Sequence, residues 1–182
     1  PFLTFDDKLG YRVFVPAQQT GGSGASWSGA AVGAALGAEG KARGEFIPLT
    51  DFYVAKSGRD TSATINAQLA KGKHIFLTAG IYTLDAPLEI TRANTIVIGS
   101  GLATLRPSAK NSDTLMRVRN ADGVKISGLL LDAGASTRTL LEVGEKNGNS
   151  ATPQNVAALS DLFFRVGGAE EGKTFTEACV II

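Results

Sequence analysis

Four times along this chain an apolar, strand-like run returns, and each time turn residues bound it. The runs are HIFLTAGIYTL, NTIVIGSGLATLRP, DGVKISGLLLDAG and NVAALSDLFFRVGG, and a shorter run follows each in turn: PLEIT, DTLMRVR, TLLEVG and TEACVII. Aligned on one another, they place Phe76, Ile98, Ile126 and Leu159 at matching positions, with spacings of 22, 28 and 33 residues. A period in this range marks a solenoid or an array, and here every unit is built of strands. The spacing grows because insertions accumulate in one loop of the unit.

Two architectures compete for such a pattern. A sandwich needs hairpin signals every few residues, such as Asn-Gly between paired runs. The one Asn-Gly, Asn147-Gly148, lies in the polar loop GEKNGNSATPQN, too long for a tight hairpin. In ISGLLLD and LSDLFFR the apolar residues come both alternating and consecutive, as in strands that pair above and below with one face on a continuous core. Glycines fall where such a coil must bend, at Gly99, Gly101, Gly123, Gly128, Gly134, Gly144, Gly167 and Gly168. The expected fold is therefore all-β, a parallel β-helix.

Ahead of the coils the organisation changes. Residues 1–17 read as a hairpin extension, with PFLTF and YRVFV flanking DDKLG. Residues 18–50 read as a Gly/Ala/Ser-rich loop or linker. Trp27 in its middle either pins that loop to the surface or stacks on a sugar ring. The β-helix is assigned to residues 51–182. Within it a helix is predicted at about 61–71, with Asp60 or Thr61 as N-cap, Gly72 as stop, and Ile65 and Leu69 on one face. It is expected to plug the open end of the stack, which would otherwise expose unpaired backbone groups.

At 182 residues the chain suffices for one sizeable core. A net charge of +1 supplies no field for nucleic acid or an acidic membrane, and no apolar run approaches a bilayer span. MRVRN is too short for a basic stripe. The single cysteine, Cys179, lies in an apolar run and reads as an inert thiol, and His74 reads as a satisfied residue at a strand edge. One Cys and one His make no zinc site, so no metal is expected. GSG at 99–101 leads into a strand rather than a helix, and GGSGAS at 21–26 lacks the Gly-Lys-Ser/Thr ending, so no nucleotide cofactor is expected either.

Acid–base hydrolysis of a glycoside needs two carboxyl groups on either side of the scissile bond. Asp132 after LLL aligns with Arg165 after LFF, which reads as an ion pair stacked between coils. Glu142 and Glu177 sit on another face, alternating with apolar residues as solvent-facing carboxylates do. No motif marks either pair as catalytic. At the C-terminus the run CVII would leave an open strand edge. Either the remaining part of a longer protein or another copy is expected to pack on that coil. With neither an initiator Met nor a signal sequence before Pro1, the N-terminus is expected to be trimmed.

The segments YRVFVPA and IPLTDFYVAKSGRDTSATINAQLAKGKHIFLTAGIYTLDAPLEITRANTIVIGSGLATL resemble the N-terminal part of secreted bacterial proteins with a pectin-lyase-like right-handed β-helix. These are related to the glycoside hydrolase family 55 exo-β-1,3-glucanases, or laminarinases. The likeness is strongest in KHIFLTAGIYTLDAPL and SGLATL and loosest in residues 18–44. It implies a secreted carbohydrate-active protein with β-glucan as its polysaccharide partner, and a chain that supports catalytic coils carried elsewhere. No catalytic residue transfers to this sequence. If the chain helps to bind glucan, Trp27 and Tyr53 are the expected stacking residues, and Asp132 and Arg165 the hydrogen-bonding ones. The alternative is a non-catalytic structural or adhesive solenoid that self-associates through its open edge.

Overall fold

The structure, a computed structural model, describes residues 1–17, 44–119, 121–134, 136–145, 155–168 and 172–182. They form two compact units, residues 1–51 and 52–182. The first is a three-stranded antiparallel sheet in the order β1 (Phe2–Asp6), β2 (Gly10–Pro16), β3 (Gly44–Pro48). Asp6 closes the first turn, its Oδ1 accepting from the backbone N–H of Lys8 and Leu9, both at 2.9 Å. These two bonds hold its carboxyl below the usual range. Phe14 lies between Phe2 and Phe46, at ring-centroid distances of 5.4 and 4.8 Å.

Strand β3 corrects the linker assigned to residues 18–50, because residues 44–48 pair with Arg12–Pro16. The pairing sets Phe46 opposite Phe14 and Ile47 opposite Val13, one apolar contact on each face. GEFIP is short and begins with glycine, so at the tail of a Gly/Ala/Ser-rich stretch it carries little strand signal.

The second unit holds one helix and ten strands among its described residues. In chain order they are β4 (Phe52–Ala55), α1 (Ser62–Ala70), β5 (His74–Leu77), β6 (Ile81–Leu84), β7 (Leu88–Ile90), β8 (Ile96–Pro107), β9 (Thr114–Val118), β10 (Lys125–Asp132), β11 (Thr137–Val143), β12 (Ala158–Arg165) and β13 (Thr176–Ile181). Every pairing in this unit is parallel. One sheet runs β12-β10-β8-β5-β4, with β6 also on β8, and the other runs β13-β11-β9-β7. From β7 onward the chain alternates between the two sheets, and each strand from β9 on pairs with the strand two before it.

One column runs down the first sheet in register: Tyr53, Ile75, Val97, Ile126, Leu159. This corrects the alignment above by one residue, because Val97, not Ile98, is opposite Ile126. Phe76 and Ile98 form the neighbouring column, opposite Ser127. In HIFL and IVI adjacent residues are both apolar, so hydrophobicity alone does not say which faces the core. In the second sheet Leu88, Met116, Leu141 and Val180 make the equivalent column.

The first sheet bends between Ser127 and Leu129, where the register slips. Gly128 has φ +70°, and a Cβ on Gly99 would strike the Gly128 carbonyl oxygen, so both positions need glycine. Helix α1 packs against β4, β5 and β7 and buries Ile65 and Leu69. Thr61 is its N-cap, accepting from the N–H of Thr64 at 3.3 Å. No helix among the described residues is long and apolar enough to cross a membrane.

Candidate functional site

Three charged clusters stand on this frame. The largest lies on the second sheet, where Glu89, Arg117 and Glu142 occupy one register column on β7, β9 and β11. The guanidinium of Arg117, its side chain only 10% exposed, donates to Glu89 Oε1 at 2.9 Å, to Glu142 Oε2 at 3.0 Å and to Asp113 Oδ2 at 2.9 Å. Arg138 holds Asp113 and Glu142 from the side at 2.9 and 2.8 Å. Arg119 joins Glu89 to Glu145, both at 2.8 Å. The Thr114 hydroxyl lies 3.0 Å from Glu142 Oε2, to which it donates.

Burial opposes ionisation of Asp113, yet the hydrogen bonds from Arg117 and Arg138 outweigh it and hold its carboxyl at about 2. Glu142 is lowered for the same reason, with burial overcome by Arg117, Thr114 and Arg138. Burial alone would lower Arg117, but Asp113 and Glu142 raise it.

The second cluster is the pair Asp132 and Arg165, directly opposite one another on β10 and β12. Arg165 Nε meets Asp132 Oδ1 at 3.0 Å and Nη2 meets Oδ2 at 2.8 Å, a two-pronged bond to a carboxylate only 4% exposed. The third lies beside α1. Asp60 accepts from the Tyr53 hydroxyl at 2.6 Å, the Lys56 N–H at 2.7 Å and Arg59 Nη2 at 2.8 Å. Against the cost of burial, these donors lower Asp60, while its carboxylate raises Tyr53.

The structure thus joins two of the sequence-predicted residues, Asp132 and Arg165, and places Tyr53 apart. The Tyr53 ring packs partly against the core and its hydroxyl is engaged by Asp60. Trp27 lies outside the described residues. His74 accepts the Ile96 N–H on Nδ1 at 3.1 Å, with its ring 4.9 Å from Phe52, and Cys179 is half-buried against the core. Glu177 is exposed on β13, level with Arg138 of β11.

That network went unread in the sequence, although a signal was present. In LEI, MRV and LEV a charged residue stands between two aliphatic ones, and its sign alternates from rung to rung. Chemically, the clusters clamp rungs together. A general acid needs a carboxyl raised towards neutrality, whereas among the described residues the carboxyls that the surroundings shift (Asp6, Asp60, Asp113, Glu142) move down. Among the described residues no group of three His, Cys, Asp or Glu side chains is placed to hold a metal ion.

With this geometry established, known proteins give the comparison. Residues 52–181 match the LAM55 pectate lyase-like domain. The chain is 43% identical over 181 residues to an exo-β-1,3-glucanase of Streptomyces sp. (strain SirexAA-E / ActE), covering 99% of this chain and 28% of that protein. It superposes on the solved structure of sacteLam55A from Streptomyces sp. SirexAA-E with a TM-score of 0.81 and 42% identity, over 99% of this chain and 30% of the other. A variant of that protein, refined in complex with glucose, superposes with a TM-score of 0.80 at 44% identity. The chain thus spans less than a third of the length of the relatives it matches.

Proposed function

The chain belongs to the family of LAM55 pectate lyase-like domains, and from that premise we propose that it is the N-terminal β-helix portion of a secreted exo-β-1,3-glucanase-like glycoside hydrolase. In this reading the strands wind as a right-handed solenoid, and α1 caps the end at β4 and β7. The domain supports catalytic coils borne by other parts of the polypeptide and lends one wall to a β-glucan groove. Arg165, its side chain 39% exposed and steadied by Asp132, offers hydrogen bonds to sugar hydroxyls there.

One observation carries the reading. The chain aligns along 99% of its length with an exo-β-1,3-glucanase of which it spans only 28%. A scaffold for coils carried elsewhere accords with that fact.

Laminarin tests it. The chain alone should release glucose no faster than buffer, while its migration through a laminarin-containing native gel is retarded. Arg165→Ala should weaken that retardation. Glucose release by the chain alone would overturn the scaffold role, and unretarded migration would overturn the groove.

A further inference from the structure

Past the bend at Gly128 the first sheet continues through β6, the later halves of β8 and β10, and β12. There Tyr82, Leu105, Leu131 and Phe164 pack into the core, so the residues alternating with them face outward. The register sorts these outer residues into two columns. One reads Ile81, Thr104, Leu130, Phe163. Its end members, Ile81 and Phe163, are 51% and 55% exposed, while Thr104 is buried and Leu130 half-buried between them. Four strands spaced at about 4.8 Å make this a shallow track roughly 14 Å long. Beside it runs a polar column, with Thr83 level with Arg106 and Asp132 level with Arg165.

We propose that this outer face is the glucan wall of the domain, with Phe163 as the ring that stacks on a sugar. The Asp161 carboxylate and the Arg165 guanidinium are the hydrogen-bonding groups to either side of it. The inference rests on the glucan reading above and assigns the place and the ring. A pyranose offers an apolar C–H face and a rim of uncharged hydroxyls. The exposed Phe163 ring matches the face. An acid two residues before it and a guanidinium two residues after it match the rim, one accepting and the other donating.

Two features of β12 set it apart from an ordinary solvent-facing strand. Asp161 occupies the bend with φ +51°, at the level where β10 has Gly128 at +70°. A residue with a side chain is strained there, and such strain concentrates at binding sites. Its carboxylate is exposed, and among the described residues no hydrogen bond or ion pair engages it. Arg165, by contrast, is already fixed, because the buried Asp132 grips two of its nitrogens. It therefore meets a ligand with little rotamer freedom left to lose. A second copy of the chain fits this face less well, since acid and base interrupt the apolar track on both sides of its one ring.

Affinity electrophoresis of the chain across a series of laminarin concentrations tests the site. Phe163→Ala should weaken binding about tenfold, and Phe163→Tyr, which keeps a ring, should bind as the parent does. Phe5→Ala removes a comparably exposed ring from the first unit and should change nothing. Asp161→Gly should weaken binding severalfold yet melt no earlier than the parent, since glycine takes a positive φ without strain. A purely structural Asp161 would give the reverse, earlier melting with binding intact. Circular dichroism checks the fold of each variant. Parent-like binding by Phe163→Ala, or an equal loss in Phe5→Ala, would overturn the proposal while the groove reading stands. An unretarded parent chain would overturn both. A sedimenting dimer that Phe163→Ala abolishes would assign the track to a second copy and overturn the glucan assignment.

Discussion

Ile126 and Leu159 are consecutive members of one column, yet the first is fully buried and the second is more than a third exposed. Elsewhere in the same unit α1 packs against β4, β5 and β7, and its Ile65 is 0% exposed. Burial in a stacked architecture is therefore a property of the rung's neighbours. An apolar residue at the right phase is necessary, and a covering layer above and below completes it.

The sharpest way to break this comparison is to truncate both residues. Ile126→Ala should lower stability by about 3–4 kcal/mol, from lost transfer energy and a cavity held open by rigid neighbours. Leu159→Ala should cost about 1 kcal/mol, since water already reaches that side chain. Urea denaturation of the two variants measures the contrast. Equal losses would mean that the last rung is as well covered as the middle one.

Charge follows the same logic. Arg117 sits mid-stack with carboxylates on three sides, and Arg117→Met would leave Glu89, Asp113 and Glu142 with only Arg119 and Arg138 as cations. The loss should be about 2–3 kcal/mol, below the full cost of breaking a buried pair because the acids keep partial contact with water. Combining it with Glu142→Gln should recover part of the loss, and a double-mutant cycle by urea denaturation reads the coupling. Strict additivity would show that the two side chains do not act as one unit.

These elements also divide what was legible in the sequence from what was not. Apolar runs between turn residues located the strands, and the match of LLLD with LFFR led to the Asp132–Arg165 pair. Both are local patterns repeated at a long period. The one-residue displacement at Val97 and Ile98 was hidden by adjacent apolar residues, and by a bulge at Gly128 whose partner strand spends Gly99–Leu102 on the same bend. Strand β3 was hidden because its reason for existing is Phe14, some thirty residues earlier in the chain. The Glu89–Arg117–Glu142 network needed the register of the second sheet, set by Leu88, Met116 and Leu141 packing inward. Sequence shows each of those charges beside two aliphatic residues, but only stacking brings them within reach of one another.

In α1, Thr61→Ala removes the side-chain acceptor for the Thr64 N–H and should cost about 1 kcal/mol. If α1 contributes to the cooperative unit, the whole second unit should melt earlier in a thermal scan. An unchanged melting temperature would show that the helix frays independently of the strands beneath it.

Acid should produce the smallest effect, and its sign follows from the network. Asp113 ordinarily titrates at 3.8 and is held at about 2 in the folded chain. A carboxyl lowered by folding contributes stability that is complete above its unfolded value and is lost as pH falls through its folded one. The urea midpoint should therefore hold steady down to about pH 4 and decline between about 4 and 2. Because the Asp113 side chain is 51% exposed, screening should keep its share below about 1 kcal/mol. Asp113→Asn should make the decline shallower without abolishing it, since Glu142 and Asp60 are lowered as well. An identical acid slope in this variant and the parent chain would show that the middle-rung network does not depend on the Asp113 charge, and that Glu142 and Asp60 set the acid tolerance of the fold without it.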